Sequence, residues 1–96
     1  MIRHVGIIRF REGTSQEDIE AFAAAFMALE IEGMVSRSAE PGLGLRGSKD
    51  ADFVVVAEFE DEAAFRRYDT DPDHETLRAG LAARIVTGGE TCQYSI

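Results

Sequence analysis

Tyr68 and His74 are the pair whose types and spacing point most directly to chemistry. An imidazole is a base near neutral pKa, able to take a proton from a carbon flanked by carbonyls. A phenol beside it can donate a hydrogen bond to the enolate oxygen that results. His4 is a third candidate. It stands two residues from Gly6 on one strand face, and the missing side chain of Gly6 leaves volume next to the imidazole. A cavity between sheet and helices is expected there.

The stretch from Asp61 to Ile85 has to bring the first two together. Asp61-Glu62 ahead of Ala63-Ala64-Phe65 is a helix-start signal, and the helix breaks at Asp69-Thr70-Asp71-Pro72. A second helix starts at Asp73-His74-Glu75. Proline at its first position has no intrahelical donor to lose, and Asp71 in front can accept from the open amides of the first turn. Phe65 and Tyr68 share a face of the first helix, while His74, Leu77, Arg78, Leu81 and Ile85 form one stripe of the second. The elbow is thus expected to set phenol and imidazole near each other at the edge of a hydrophobic face. Each residue also has a purely structural reading: His74 as a helix-start residue donating to a nearby carbonyl, Tyr68 as core, His4 as a satisfied strand-end histidine.

The remaining elements follow from periodicity. Val5 to Phe10 reads as a strand, with Ile2, His4, Gly6, Ile8 and Phe10 on one face and Arg3, Val5, Ile7 and Arg9 on the other. Thr14 and Glu17 have the spacing of a capping box, ahead of an amphipathic helix carrying Ile19, Phe22, Ala23, Phe26, Met27 and Leu29 and ended by Gly33. Met34 to Ala39 is a second strand, Phe53 to Phe59 a third, and Ile85 to Tyr94 a last strand in which Gly88-Gly89 marks a turn, a bulge or a close backbone approach. The order strand, helix, strand, strand, helix pair, strand defines an α+β, ferredoxin-like β-α-β-β-α-β fold in a single domain over residues 1–96. Helices of this topology cover one face of the sheet, yet the first and third strands are apolar on both. A second copy of the chain, sheet against sheet, is the simplest cover and implies a two-fold homodimer.

Composition narrows the function classes. With 18 acidic against 10 basic residues the net charge is -8, and only one of the basic residues is a lysine, so phosphate backbones and anionic lipid would be repelled. Neither nucleic acid nor membrane is an expected partner; a small molecule is. Cys92 stands alone, which excludes an internal disulfide, and the N-terminal apolar run is too short for a secretion signal, so a cytoplasmic protein is expected. Gly42-Leu43-Gly44-Leu45-Arg46-Gly47 has the letters of a dinucleotide loop but runs into another strand where a helix is required. Two histidines without a fixed carboxylate fall short of a metal site. No metal and no organic cofactor are expected.

Met1-Ile2-Arg3-His4-Val5, Phe10-Arg11, the Phe53 to Phe59 strand running into Glu60-Asp61-Glu62-Ala63, and Tyr68 followed by Asp71-Pro72-Asp73-His74 together resemble the stress-responsive dimeric α/β-barrel (Dabb) family. The resemblance covers nearly the whole chain. It implies ferredoxin-like subunits paired into a dimeric α/β barrel, and chemistry like that of a plant member that closes a linear tetraketide into olivetolic acid without metal or organic cofactor. Carried over residue by residue, it makes His74 the general base, Tyr68 its assistant and His4 a pocket-lining residue. Phe26 matches a tyrosine bordering the plant enzyme's pocket, which alters the pocket's polarity. Asp71 stands where members commonly begin a His-Pro-x-His elbow, a change compatible with capping. Three functions compete: a cofactor-free cyclase or lyase acting on a polyketide-like β-carbonyl substrate, a non-catalytic small-molecule-binding stress protein, and a cofactor-independent monooxygenase of a related barrel group.

Overall fold

A computed structural model describes residues 1–96. Four strands, β1 (Ile2–Phe10), β2 (Met34–Pro41), β3 (Phe53–Phe59) and β4 (Val86–Ser95), form one antiparallel sheet in the order β2-β3-β1-β4. α1 (Gln16–Met27) connects β1 to β2. Between β3 and β4 lie α2 (Glu62–Asp69), α3 (Pro72–Leu77), a π-helical stretch over Arg78–Ala82 and α4 (Ala83–Ile85). This is the expected ferredoxin-like order. β1, paired on both sides, is the strand from which the site is built.

Alternation in β3 sorts the two faces cleanly. Phe53, Val55, Ala57 and Phe59 are buried under the helices, whereas Val54, Val56 and Glu58 point to the other side and are half-buried. Phe22, Phe26, Leu29, Ala64, Tyr68, Leu77 and Ile85 complete the core from above. Phe10, Phe22 and Phe53 interlock with ring centroids 5.6–5.9 Å apart, and Phe22 meets the other two edge-on, a geometry that suits the aromatic quadrupole. Ala57 and Ala64 are fully enclosed, so the helices approach the sheet closely where side chains are smallest.

Several local readings shift. The cap of α1 is Ser15, whose hydroxyl accepts from the Asp18 amide at 3.1 Å, so the box falls one residue later than Thr14 and Glu17. Thr14 instead donates to the Arg11 carbonyl at 2.6 Å and shapes the preceding turn. α1 stops at Met27, whose side chain is 42 % exposed, well before Gly33; Leu29 is buried from the connection beyond it. Gly33, at φ +89°, serves the turn into β2, where a Cβ would come within 2.5 Å of the Ala64 Cβ. β2 runs on to Pro41 and β4 starts at Val86. The Gly42 to Gly47 stretch connects β2 to β3 through a short 3₁₀ turn at Gly47–Lys49, with no helix positioned to receive a pyrophosphate.

The elbow forms as its residues dictate. Asp61 caps α2 through the Ala64 amide at 2.9 Å, and Asp71 caps α3 by accepting from Asp73 and His74 amides at 3.0 and 3.1 Å, with Pro72 in the first turn. Beyond Leu77 the helix widens to a π turn. Arg78, its first residue, reaches back to the end of α2, where its guanidinium bonds Asp69, and also pairs with Glu75 at 2.8 Å. No helix is long and apolar enough to cross a membrane.

Candidate acid–base site

His4, Phe26, Tyr68 and His74 all border one cavity of about 660 Å³ between the helix-facing side of β1 and β4 and the α2–α3 elbow. Gly6 borders it, but the space a side chain would take is not left open as expected: a Cβ there would meet Val55 Cγ2 at 2.8 Å. A second hollow of about 400 Å³ borders Arg11, Gln16 and Asp52; neither histidine reaches it.

The Tyr68 and His74 rings stack with centroids 4.0 Å apart and planes 28° from parallel. Neither residue lies at the edge of its helix's apolar stripe: Tyr68 is 3 % and His74 8 % exposed, because Phe59, Phe65 and Phe26 close around the phenol at centroid distances of 5.3, 6.0 and 6.5 Å. His4 is buried as well, its ring 5.4 Å from that of Tyr68. The elbow delivers imidazole onto phenol, and β1 presents the second imidazole from below.

Hydrogen bonds assign the atoms. His74 Nδ1 donates to the Tyr68 carbonyl at 2.9 Å, so in the neutral ring Nε2 carries the lone pair. The bond expected of a purely structural helix-start histidine is thus also the bond that leaves His74 free to accept a proton. The Tyr68 hydroxyl and His74 Nε2 have no partner within the chain, and no buried side-chain polar atom is left unpaired, so both atoms open onto the cavity. His4 Nδ1 accepts from Gln93 Nε2 at 2.8 Å.

Electrostatics favour the neutral forms. Burial pushes the His74 imidazole below its ordinary 6.5; the hydrogen bond to the Tyr68 carbonyl opposes this, and the Arg78 guanidinium adds to it. His4 is lowered by burial and then by His74, while burial pushes the Tyr68 phenol up to about 12. At neutral pH the cavity therefore offers an unprotonated base beside a protonated phenol.

These shifts link to stability with a definite sign. Below the ordinary histidine value of 6.5 the unfolded chain takes up protons that the folded imidazoles refuse, so stability is expected to fall as pH drops from there toward the carboxylate range. Above 10.0 the unfolded tyrosine ionises while the buried phenol does not, so stability is expected to fall as pH rises. Urea unfolding across pH checks both limbs. Unchanged acid-limb slopes in a His4→Gln, His74→Asn double variant would contradict the assignment.

Gln93 is the site residue that sequence reasoning missed. It faces the cavity only because β4 pairs with β1 in a register that sets it opposite His4. Asp69, Arg78 and Thr91 also reach the lining. No group of three or more His, Cys, Asp and Glu side chains converges in a way that could hold a metal ion.

An antiparallel β-α-β-β-α-β sheet with an imidazole and phenol enclosed beneath its helices defines a ferredoxin-like chain with a helix-side cavity. More particularly, the model of the stress responsive A/B barrel domain matches residues 2–86, and the chain belongs to that family. Among solved structures it is similar to a dimeric ferredoxin-like protein of unknown function from Thermobifida fusca, with 27% identity, 99% of this chain and 90% of that one covered, and a TM-score of 0.87. The fold is shared with a hydroxynitrile lyase from Passiflora edulis (17% identity, 99% and 92% covered, TM-score 0.85). It is shared too with the Arabidopsis thaliana protein At3g17210 (18% identity, 100% and 95% covered, TM-score 0.84). No curated protein matches the chain.

Proposed function

We propose that this protein is a cofactor-free cyclase or related lyase acting on a polyketide-like β-carbonyl compound, with His74 as general base and Tyr68 assisting. The observation that carries the reading is the His74 Nδ1 bond to the Tyr68 carbonyl, which leaves an Nε2 lone pair and the Tyr68 hydroxyl open to one cavity. His74 Nε2 takes the proton from a carbon next to a carbonyl while Tyr68 donates a hydrogen bond to the enolate oxygen. The electron pair left on carbon attacks a second carbonyl of the same molecule. The alkoxide so formed recovers its proton from the His74 imidazolium, which closes an aldol step without any other reactant. Phe26 and His4 line the space the substrate occupies, and a lyase from Passiflora edulis on the same fold is compatible with this chemistry.

The pairing is tested with benzylacetone, an apolar enolisable ketone, by following deuterium uptake from D₂O. Tyr68→Phe should slow the exchange while thermal unfolding stays within a few degrees of wild type. Exchange as fast as wild type would remove Tyr68 from the mechanism.

A homodimer is part of this proposal. On the sheet face away from the helices, Val5, Ile7, Val54 and Val56 form an apolar patch in which Ile7 is 46 % exposed, beside Arg3 bonded to both Glu58 and Tyr94 at 2.8 Å. A twin subunit covers that patch, and the similar Thermobifida fusca protein is described as dimeric. Sedimentation should give twice the 10.5 kDa chain mass, and Ile7→Asp should shift the protein to monomer with the fold retained. A wild-type monomer at micromolar concentration would refute the dimer.

A further inference from the structure

Gln93 of β4 stands directly opposite His4 of β1, and its side-chain amide donates to His4 Nδ1 at 2.8 Å. We infer that Gln93 is a positioning residue that holds the His4 proton on Nε2, giving the cavity a second hydrogen-bond donor beside the Tyr68 hydroxyl for the oxygen of an uncharged, enolisable carbonyl ligand. This deepens the acid–base reading of the cavity and rests on it.

A neutral imidazole whose Nδ1 accepts a hydrogen bond must carry its proton on Nε2. His74 has the opposite arrangement, since its Nδ1 donates to the Tyr68 carbonyl. The two histidines therefore hold opposite tautomers within one cavity, one set as an acceptor and the other as a donor. His4 Nε2 has no partner in the chain and is not an enclosed unpaired atom, so it too opens onto the cavity. An amide serves this purpose better than a carboxylate would. It fixes the tautomer without adding a negative charge that would draw a second proton onto a ring next to His74.

The lining also indicates the charge of the ligand. Arg78, the one cation at the cavity, is engaged by Asp69 and Glu75. Two donors and one acceptor match a carbonyl oxygen flanked by an acidic C–H; a free carboxylate or phosphate finds no uncommitted cation.

The chain has only two histidines, so imidazole ¹⁵N spectra of the ligand-free protein are assigned with two single variants. Wild type is expected to show His4 protonated on Nε2 and His74 on Nδ1. Because free imidazole side chains also favour the Nε2 proton, Gln93→Glu supplies the decisive arm: the new carboxylate should draw a proton onto His4 Nδ1 and leave His74 unchanged. A wild-type His4 protonated on Nδ1, or a His4 spectrum unmoved by Gln93→Glu, would overturn the inference. Both readouts need no turnover, so they stand apart from any failure of the proposed catalysis. In the benzylacetone exchange, Gln93→Met should lower the rate about tenfold, the scale of one lost hydrogen bond, with the pH limb of His74 unmoved. An unchanged rate would remove the His4 donor from ligand recognition, and a shifted limb would show that Gln93 acts through His74.

Discussion

His74→Ala is expected to lower the rate of carbonyl deprotonation by roughly 10²–10⁴-fold, the range typical of a lost general acid or base. Because His74 is buried and bonded to the Tyr68 carbonyl, alanine also removes a hydrogen bond of about 0.5–1.5 kcal/mol net. The carbonyl is not orphaned, since it still accepts from the Asp71 amide at 3.3 Å. His74→Asn separates the two effects. Its side-chain amide can occupy the place of Nδ1 and keep the bond, but it cannot take a proton at neutral pH. Equal losses of rate in both variants, with stability recovered in the asparagine one, fit a base. A normal rate in His74→Asn would leave the residue a part of the elbow only.

Phe59→Ala should produce the largest loss of stability, about 3–5 kcal/mol by the usual cost of emptying a buried phenylalanine site. Phe59 is fully enclosed, and its ring contacts both Phe65 and Tyr68 at centroid distances of 5.7 and 5.3 Å. For a domain of this size each kilocalorie per mole lowers the melting temperature by roughly 4–8 °C, so a fall of about 12–40 °C is expected by calorimetry. Catalysis in any folded fraction should fall too, because Tyr68 loses the wall that holds it against His74. A drop of only a few degrees would mean that the sheet and the elbow are not coupled through this ring.

Much of the fold was legible because its signals are local. Asp71-Pro72 announces a cap and a helix start whatever the rest of the chain does, whereas the Phe53 to Phe59 strand is apolar on both faces and only the packed helices decide that Phe53, Val55, Ala57 and Phe59 lie beneath them. The Tyr68 and His74 neighbourhood follows from that elbow. What was not legible depends on pieces meeting across the fold. Gln93 joins the site through a strand register set by the bulge between Arg9 and Phe10, where Gly89 passes so close to β1 that a Cβ would overlap the Ile7 carbonyl oxygen. Both a bulge and a close approach occur there, and the glycine pair alone could not choose between them. The depth at which Tyr68 and His74 are buried depends likewise on aromatic rings from β3, α1 and α2 closing over one another. Nothing in Arg78-Ala79-Gly80-Leu81-Ala82 announces a widened helical turn. The slip from Thr14 to Ser15 is of another kind: two adjacent hydroxyls could each cap the helix, and the turn at Arg11 claims the first.

The most direct test of the account is the pH dependence of benzylacetone deuterium exchange catalysed by the wild-type protein. With His74 as a neutral buried base, the rate should exceed that of buffer, rise with a single-proton slope at a pH below 6.5 and stay level through neutrality, and His74→Asn should abolish that limb. Exchange no faster than buffer at every pH, or an identical profile from His74→Asn, would contradict it.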